Sequence, residues 1–205
     1  AAHIEGKGVS VLDMTGLAQK NGAVMSHVRI ADRPEEIYAS RVAAGEADAV
    51  IGCDVVVAAS PDAIRTMKAG TTKAVINGYE QMTAAFIQNR DLKFPNAALQ
   101  ASIADAVGPD GMHVVDATRI ATALMGDAIA GNMFMLGFAF QKGMIPLQLA
   151  SIEKAIELNA VAVRMTKEAF TWGRRAAHDL EAVAKIAFPA EPVPLARPAA
   201  KSHHM

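Results

Sequence analysis

Residues 8–31, GVSVLDMTGLAQKNGAVMSHVRIA, decide the fold of the first part of the chain. Two apolar runs, residues 9–13 and 24–31, have the composition of strands, and they flank a polar loop over residues 15–22. Because this loop is too short for a helical crossover, we expect the second strand to run antiparallel to the first. This loop has Leu17 as its one core-type residue. A polar loop between two strands is typical of a segment whose side chains bind or react rather than pack in the core.

The second apolar run alternates, so its side chains divide between two faces of a strand. One face carries Val24, Ser26, Val28 and Ile30, and the other carries Met25, His27 and Arg29. We expect the face with His27 and Arg29 to be wet or to contact something. An imidazole and a permanent guanidinium charge suit recognition of a carboxylate or a thioester carbonyl. The alternative is that both residues form hydrogen bonds within an interface to a partner domain.

The loop offers a second candidate binding segment. Gln19, Lys20 and Asn21 are suited to a phosphate or an amide, and Gly22 permits a positive φ that turns their backbone donors outward. The alternative is an ordinary solvated connection between two strands.

The bulk composition favours one globular α/β domain with a sizeable core, or one domain with a helical tail. The chain has 205 residues, of which 52% are hydrophobic and 20% are charged. Its net charge of -1 gives no extended positive field, and Arg174 with Arg175 is too small a basic patch for nucleic acid. We therefore expect no nucleic-acid partner.

The cysteine count and the hydropathy pattern argue against an iron–sulfur protein and a membrane-spanning protein. Cys53 is the single cysteine, so this chain cannot supply the four thiolates of an iron–sulfur cluster, and we expect a buried, inert thiol. No metal site is expected, because His203 and His204 lack further ligands nearby. The apolar residues 120–140 are interrupted by Asp127 and Asn132, which argues against a membrane span. A cytoplasmic location is the default expectation.

Downstream of residue 31, strands and helices alternate, which predicts a three-layer α/β/α sandwich with a mainly parallel sheet and long C-terminal helices. A helix is predicted over residues 33–44, because Pro34 and two glutamates occupy its first turn. Residues 54–59 fit either a strand or a helix. Strands are predicted over residues 48–52, 73–77 and 114–116. Ser60 is predicted to cap a helix that runs to about residue 67, and further helices are predicted over residues 97–107 and from residue 119 onward.

The sequence predicts two parts in the chain, a domain and a proline-rich end, with the boundary between residues 187 and 188. Residues 148–187 carry one amphipathic stripe, so the α/β domain with its helical extension is expected to span residues 1–187. Residues 188–205 are rich in proline and are predicted to form a linker or a cut end.

Polar residues at strand ends are further candidates. Asn77 and Asp116 each end a predicted strand, where open α/β sheets collect ligands, although Asp116 is better suited to capping the next helix. Asn132 is interpreted as a cap or an interface contact. The apolar run that includes Met133 and Met135 surrounds nearly the whole helix, which is typical of a helix covered on all sides.

The run DMTGLAQKNGAVMSHVRI resembles the gamma-type domain of the 2-oxoacid:ferredoxin oxidoreductases, and most closely the indolepyruvate ferredoxin oxidoreductases. Those enzymes carry the pattern TGLAQK-x-G-x-V-x-SHVR. Four more segments are similar and follow the family's order: GEADAVIGCDVVVAAS (45–60), KAVIN (73–77), GNMFMLGFAFQKGMIP (131–146) and AFTWGRRAA (169–177). The similarity covers about residues 1–180.

This resemblance implies a domain of an enzyme that decarboxylates an aryl 2-oxoacid, gives the acyl group to coenzyme A and passes electrons to ferredoxin. It places thiamine diphosphate and [4Fe-4S] clusters in thiamine-binding and ferredoxin-type partner domains or subunits, so this chain alone is expected to be inactive. It also implies a first strand and a glycine-rich loop before residue 1. Candidate contacts to the active-site and coenzyme A region are Gln19, Lys20, Asn21, Gly22, His27, Arg29 and Asn77, and candidate interface residues are Asn132, Met133 and Met135.

Two other functions remain open at this point. The α/β pattern alone permits a dinucleotide-binding module of a dehydrogenase, although residues 14–22 contain too few glycines for its usual phosphate loop. The second of these functions is that of a purely structural interaction domain.

Overall fold

The computed structural model describes residues 1–15, 24–79 and 95–189. Its strands are β1 (Gly8–Thr15), β2 (Val24–Ala31), β3 (Ala49–Gly52), β4 (Lys73–Asn77) and β5 (Met112–Val115). Its α-helices are α1 (Val55–Ala58), α2 (Pro61–Thr66), α3 (Asn96–Val107), α4 (Ala117–Met125), α5 (Ala130–Gln141), α6 (Leu149–Asn159), α7 (Val163–His178) and α8 (Leu180–Ala187). Single turns of 3₁₀ helix cover Ala2–Glu5 and Pro34–Glu36.

The first two strands form a hairpin, as the sequence predicts. β1 and β2 pair antiparallel in a two-stranded sheet of their own, with Gly8 opposite Ala31 and Thr15 opposite Val24. Opposite residues share a face of the ribbon, so this register determines which side chains of the two strands act together.

The parallel sheet has the order β3-β4-β5, and helices cover both of its faces. On one side, Ala74 and Ile76 of β4 pack with Val55 of α1 and Ile103 of α3. On the other side, Val75 packs in a cluster with residues of α4, α5, α7 and α8. This arrangement confirms the α/β/α sandwich, because alternate residues of the central strand enter the two helical layers.

Side-chain caps begin several helices where the chain leaves the sheet. Asp54 accepts hydrogen bonds from the backbone N–H groups of Val56 and Val57, and Val55–Ala58 form one helical turn rather than a strand. Ser60 caps α2, and Asp116 caps α4 through the N–H of Arg119. The carboxylate and hydroxyl oxygens satisfy N–H groups that have no partner within the helix.

The predicted helix over residues 33–44 is wrong. Only Pro34–Glu36 form a single 3₁₀ turn, and the following residues are irregular. The backbone groups of Arg41 and Val42 form hydrogen bonds with side chains of the hairpin, and these tertiary bonds take the place of helical ones.

Residues 148–187 are not one continuous helix. The break between α6 and α7 contains Ala160 and Ala162, which have φ angles of 55° and 42° in the left-handed region. A second break falls at Asp179, whose side chain accepts from the N–H of Ala182 and caps α8. The amphipathic pattern therefore continues through three shorter helices.

Two glycines let α5 and α7 cross with their backbones in contact. A Cβ atom added at Gly137 would overlap the carbonyl oxygen of Phe170, and one added at Gly173 would overlap the carbonyl oxygen of Phe134. Phe134 and Met135 of α5 are fully buried, which confirms that this helix is covered on nearly all sides. The two motifs GNMFMLGFAF and AFTWGRRAA thus meet at one close crossing.

Within the described ranges, no single helix is long and apolar enough to cross a membrane. Taken together, α4 and α5 reach the required length and composition, but they are bent by 116° at the break between them.

Candidate functional site

Of the two expectations for the face with His27 and Arg29, wet or in contact, the structure shows contact with the rest of the chain. His27 is only 3% exposed, and Met25 packs against the core cluster that contains Val55 and Ile103. The face expected to be wet is therefore turned toward the body of the domain. The face with the valines points away, and Val11 and Val28 are 58% and 52% exposed. Alternation shows which residues share a face, but the neighbouring segments decide which face is covered.

His27 holds the backbone of the irregular segment that follows the hairpin. Its Nδ1 accepts a hydrogen bond from the backbone N–H of Val42 at 3.1 Å. An imidazole whose Nδ1 accepts carries its proton on Nε2 when neutral, and this Nε2 is buried without a partner among the described residues. Burial lowers the pKa of His27, the cations Arg41 and Arg29 lower it further, and only the carboxylate of Asp62 opposes them.

Arg29 also forms hydrogen bonds with the irregular segment that follows the hairpin. Its Nε and Nη2 donate to the carbonyl oxygen of Arg41 at 3.2 and 3.0 Å, and Nη2 pairs with Glu46 at 2.5 Å. The Arg29 guanidinium, followed by the N–H of Ala43, lowers the pKa of the Glu46 carboxyl. We call the contacts of His27 and Arg29 with residues 41–46 the hairpin clasp. Both candidate residues are thus engaged within the chain.

The candidate loop residues Gln19, Lys20, Asn21 and Gly22 lie outside the described residues. The hairpin register ends at the pair Thr15 and Val24, so the eight intervening residues leave and re-enter adjacent strands. The contacts of His27 and Arg29 with residues 41–46 hold β2, the strand that follows the eight intervening residues in the chain.

Asn77 joins three elements at the carboxyl edge of the parallel sheet. Its Nδ2 donates to the carbonyl oxygen of Cys53 at 3.2 Å and to Oγ1 of Thr118 at 2.7 Å. Its Oδ1 accepts from the N–H groups of Ala117 at 3.1 Å and Tyr79 at 3.3 Å. Every hydrogen-bonding group of this buried amide has a partner, so Asn77 stabilises the ends of β3 and β4 and the start of α4.

The three candidate interface residues differ in exposure. Asn132 lies inside α5, whose N-cap is Ile129, so the predicted cap is wrong; the residue is exposed, whereas Met133 is partly buried. Met135 is fully buried in the core of this chain, which leaves its side chain no surface of its own.

Cys53 was expected to be buried, and this expectation is wrong, because the residue is exposed. Protein atoms around the thiol nevertheless raise its pKa, and the Asp54 carboxylate raises it further. The thiolate, which is the reactive form, is therefore disfavoured.

The donor set of the chain does not fit an iron–sulfur cluster, since a single cysteine cannot replace four thiolates. In the part of the chain that the structure describes, no group of three or more His, Cys, Asp or Glu side chains is arranged to hold a metal ion. The clusters that the resemblance implies therefore require ligands from another domain or subunit.

Two sets of residues important for the structure escaped the sequence reasoning. Glu46 and the backbone of residues 41–43 complete the clasp, and of these only Glu46 lies in a segment that resembles the family, residues 45–60. Gly137 and Gly173 lay within quoted motifs, but single glycines in apolar helical runs give no indication that they face each other.

Fold and site together define an α/β domain whose hairpin is held against residues 41–46. A family model described as pyruvate ferredoxin/flavodoxin oxidoreductase matches residues 1–176. The chain belongs to this family. Its members act as components of larger, multi-domain or multi-subunit 2-oxoacid oxidoreductases that use ferredoxin. No curated protein matches the chain significantly.

Proposed function

We propose that this chain is the domain of a cytoplasmic indolepyruvate:ferredoxin oxidoreductase that borders its active site and coenzyme A region. The observation that carries the proposal is the run TGLAQKNGAVMSHVR, residues 15–29, inside the segment matched by the family model. In the complete reaction, the bond between the carboxyl carbon and the oxo carbon breaks and releases CO₂. A carbon–sulfur bond to coenzyme A forms as the S–H bond of its thiol breaks and releases a proton, and the two electrons released pass to two ferredoxins.

The role assigned to this chain is positioning and recognition. Thiamine diphosphate, held by a partner domain, supplies the electron sink for decarboxylation. Lys20 and the backbone N–H groups around Gly22 are suited to the phosphate groups of coenzyme A, because an ammonium and backbone N–H donors both favour an anion. Gln19 and Asn21 add amides that can pair with the pantetheine amides of that substrate.

In this proposal, His27 and Arg29 are positioning residues. Their hydrogen bonds with Val42 and Arg41 fix β2, the strand that follows the loop in the chain, against residues 41–46.

The choice of 2-oxoacid is tested on the complete enzyme by coenzyme A-dependent reduction of ferredoxin. We expect kcat/KM for indolepyruvate to exceed the values for pyruvate and 2-oxoglutarate by at least about tenfold, corresponding to about 1.4 kcal/mol of transition-state discrimination. A preference for either small 2-oxoacid would contradict the proposal.

The role of the loop is tested with Lys20→Ala in the same enzyme. We expect KM for coenzyme A to rise about tenfold, as loss of a charge-assisted contact predicts, with the KM for the 2-oxoacid unchanged. The matched control is Lys68→Ala, which removes an exposed lysine before β4 and is expected to change neither constant. An unchanged KM for coenzyme A in Lys20→Ala would remove this residue from the site.

A further inference from the structure

The hydrogen bond between His27 and Val42 exists only while the imidazole is neutral. Nδ1 of His27 accepts from the backbone N–H of Val42 at 3.1 Å. A protonated imidazole carries a hydrogen on both ring nitrogens and accepts no hydrogen bond, whichever way the ring is turned. Protonation of His27 therefore breaks this bond and sets two N–H groups against each other.

The surroundings of His27 disfavour a protonated ring. The residue is 3% exposed, and its Nε2 has no hydrogen-bond partner in the part of the chain that the structure describes. Among the described charged groups that act on the ring, Arg29 of β2 and Arg41 of the following segment oppose a positive charge, and Asp62 of α2 favours one. An imidazolium at this place would be a buried cation beside two others, so the closed contact selects the neutral form.

The segment that His27 holds has few other attachments. Residues 41–46 lie in no helix or strand, and four of the six are exposed: Arg41, Ala43, Ala44 and Glu46. Arg29 holds this segment through the carbonyl of Arg41 and the carboxylate of Glu46, and the N–H of Gly45 donates to the carbonyl oxygen of Arg65 at 3.0 Å. A segment with little buried apolar surface can open while the rest of a domain stays folded.

The ion pair of the clasp does not share the pH dependence of His27. The Arg29 guanidinium and the N–H of Ala43 lower the pKa of the Glu46 carboxyl, so this group stays ionised down to pH 5 and below. The guanidinium of Arg29 stays charged throughout this range. Among the side chains that form the clasp, His27 is therefore the one whose charge changes between pH 7.5 and pH 5.5.

We propose that His27 makes the clasp a pH-sensitive contact, which is closed at neutral pH and opens locally when the ring takes up a proton, while the parallel sheet stays folded. In the open state the ring is in water and titrates as an ordinary histidine, near pH 6.5. For one proton, linkage then raises the equilibrium constant for opening by up to about tenfold between pH 7.5 and pH 5.5. The inference rests on contacts within this chain, and it does not depend on the substrate of the proposed function.

Hydrogen exchange of the complete enzyme, followed by mass spectrometry of peptides, tests this opening. The exchange rate of residues 41–46 is measured at pH 7.5 and pH 5.5 and divided by the intrinsic rate at the same pH. We expect protection of this segment to fall by about threefold to tenfold at the lower pH. We also expect it to be unchanged by guanidinium up to about 0.5 M, because a local opening exposes little new surface. Peptides that cover β4 should be better protected at both pH values.

His27→Asn separates protonation from other effects of pH, because its side-chain oxygen can accept from Val42 and does not titrate. We expect equal protection of residues 41–46 at the two pH values in this variant. His113→Asn is the matched control, since it removes another histidine whose pKa is lowered by burial and should leave the response of residues 41–46 intact. A change smaller than about threefold in the natural protein would overturn the inference, and so would an undiminished response in His27→Asn or an opening that occurs only together with β4.

Discussion

The β1–β2 hairpin and the α5–α7 crossing both carry motifs by which the chain resembles its family, yet their residues are used differently. In the crossing, Gly137 and Gly173 remove side chains so that two helices touch through their backbones. In the hairpin, His27 and Arg29 bind the backbone of residues 41–46, while valines face outward. One motif pair specifies close packing of two helices, and the other holds the hairpin against residues 41–46.

The largest effect is expected from adding a methyl group at the crossing. Gly137→Ala or Gly173→Ala would force a Cβ into a carbonyl oxygen of the facing helix. Backbone cannot yield as a flexible side chain does, so we expect a loss of about 3 kcal/mol or more in the free energy of unfolding. Denaturant unfolding followed by circular dichroism measures this loss.

Gly131→Ala is the matched control on the same helix. Its Cβ would lie at ordinary contact distance, 3.5 Å, from Thr118. The better helix propensity of alanine is expected to stabilise the protein by up to about 1 kcal/mol. Similar losses for Gly131→Ala and Gly137→Ala would show that the crossing has no special role.

A smaller effect is expected at the carboxyl edge of the sheet. Asn77→Ala leaves the buried N–H of Ala117 and the carbonyl of Cys53 without their partner, at a cost of about 2–3 kcal/mol in unfolding free energy. Asn77→Asp retains the acceptor and loses the donor, so its loss should be smaller than that of Asn77→Ala. If Asn77→Ala were neutral while ligand binding fell, Asn77 would instead be a binding residue.

Arg29→Ala should cost about 1 kcal/mol, because the pair with Glu46 is partly solvated and only one backbone carbonyl loses its donors. The effect should be local, with faster hydrogen exchange confined to residues 41–46 and the hairpin. Arg33→Ala removes an exposed pair with Glu36 and is the control expected to leave exchange unchanged. Uniformly faster exchange after Arg29→Ala would contradict the clasp.

The smallest effect is a dependence of stability on pH. The lowered pKa of His27 means that the unfolded chain takes up a proton near pH 6.5 before the folded chain does. Stability therefore falls as the pH falls below about 6.5. Protonation of Nδ1 also removes the acceptor for the Val42 N–H, so the clasp itself weakens.

His27→Asn tests this dependence, because its side-chain oxygen can replace Nδ1 as the acceptor without titrating. We expect this variant to lose less stability than the natural protein between pH 7 and pH 5. His113 also has a pKa lowered by burial and by Lys142 and Lys73, but it is present in both proteins and cancels in the comparison. Identical pH profiles of stability would show that protonation of His27 does not weaken the hydrogen bonds between the hairpin and residues 41–46.

Local signals predicted much of the fold. A loop too short for a crossover predicted the antiparallel hairpin, and Ser60 and Asp116 in capping positions predicted helix starts. An apolar run without a polar stripe predicted the buried helix α5. Each of these features depends on residues close together in the chain, where spacing alone carries the information.

The features that failed depend on distant contacts. Pro34 and its glutamates favour a helix start, but hydrogen bonds from the hairpin hold residues 41 and 42 in an irregular path. The expectation of a wet face with His27 and Arg29 was wrong, because alternation cannot tell which face of a strand another segment will cover. The left-handed Ala160 and Ala162 gave no local warning, since alanine favours helix.

The measurement that tests the central claim most directly compares the two regions in one enzyme. Gln19→Ser, Lys20→Gly and Asn21→Ser are introduced together in the loop, and Gly173→Ala is introduced separately at the crossing. For the loop variant, we expect KM for coenzyme A to rise about tenfold with the melting temperature unchanged. For Gly173→Ala, we expect the melting temperature to fall by several degrees. A loop variant with unchanged KM, or with a melting temperature lowered as much as that of Gly173→Ala, would contradict the account.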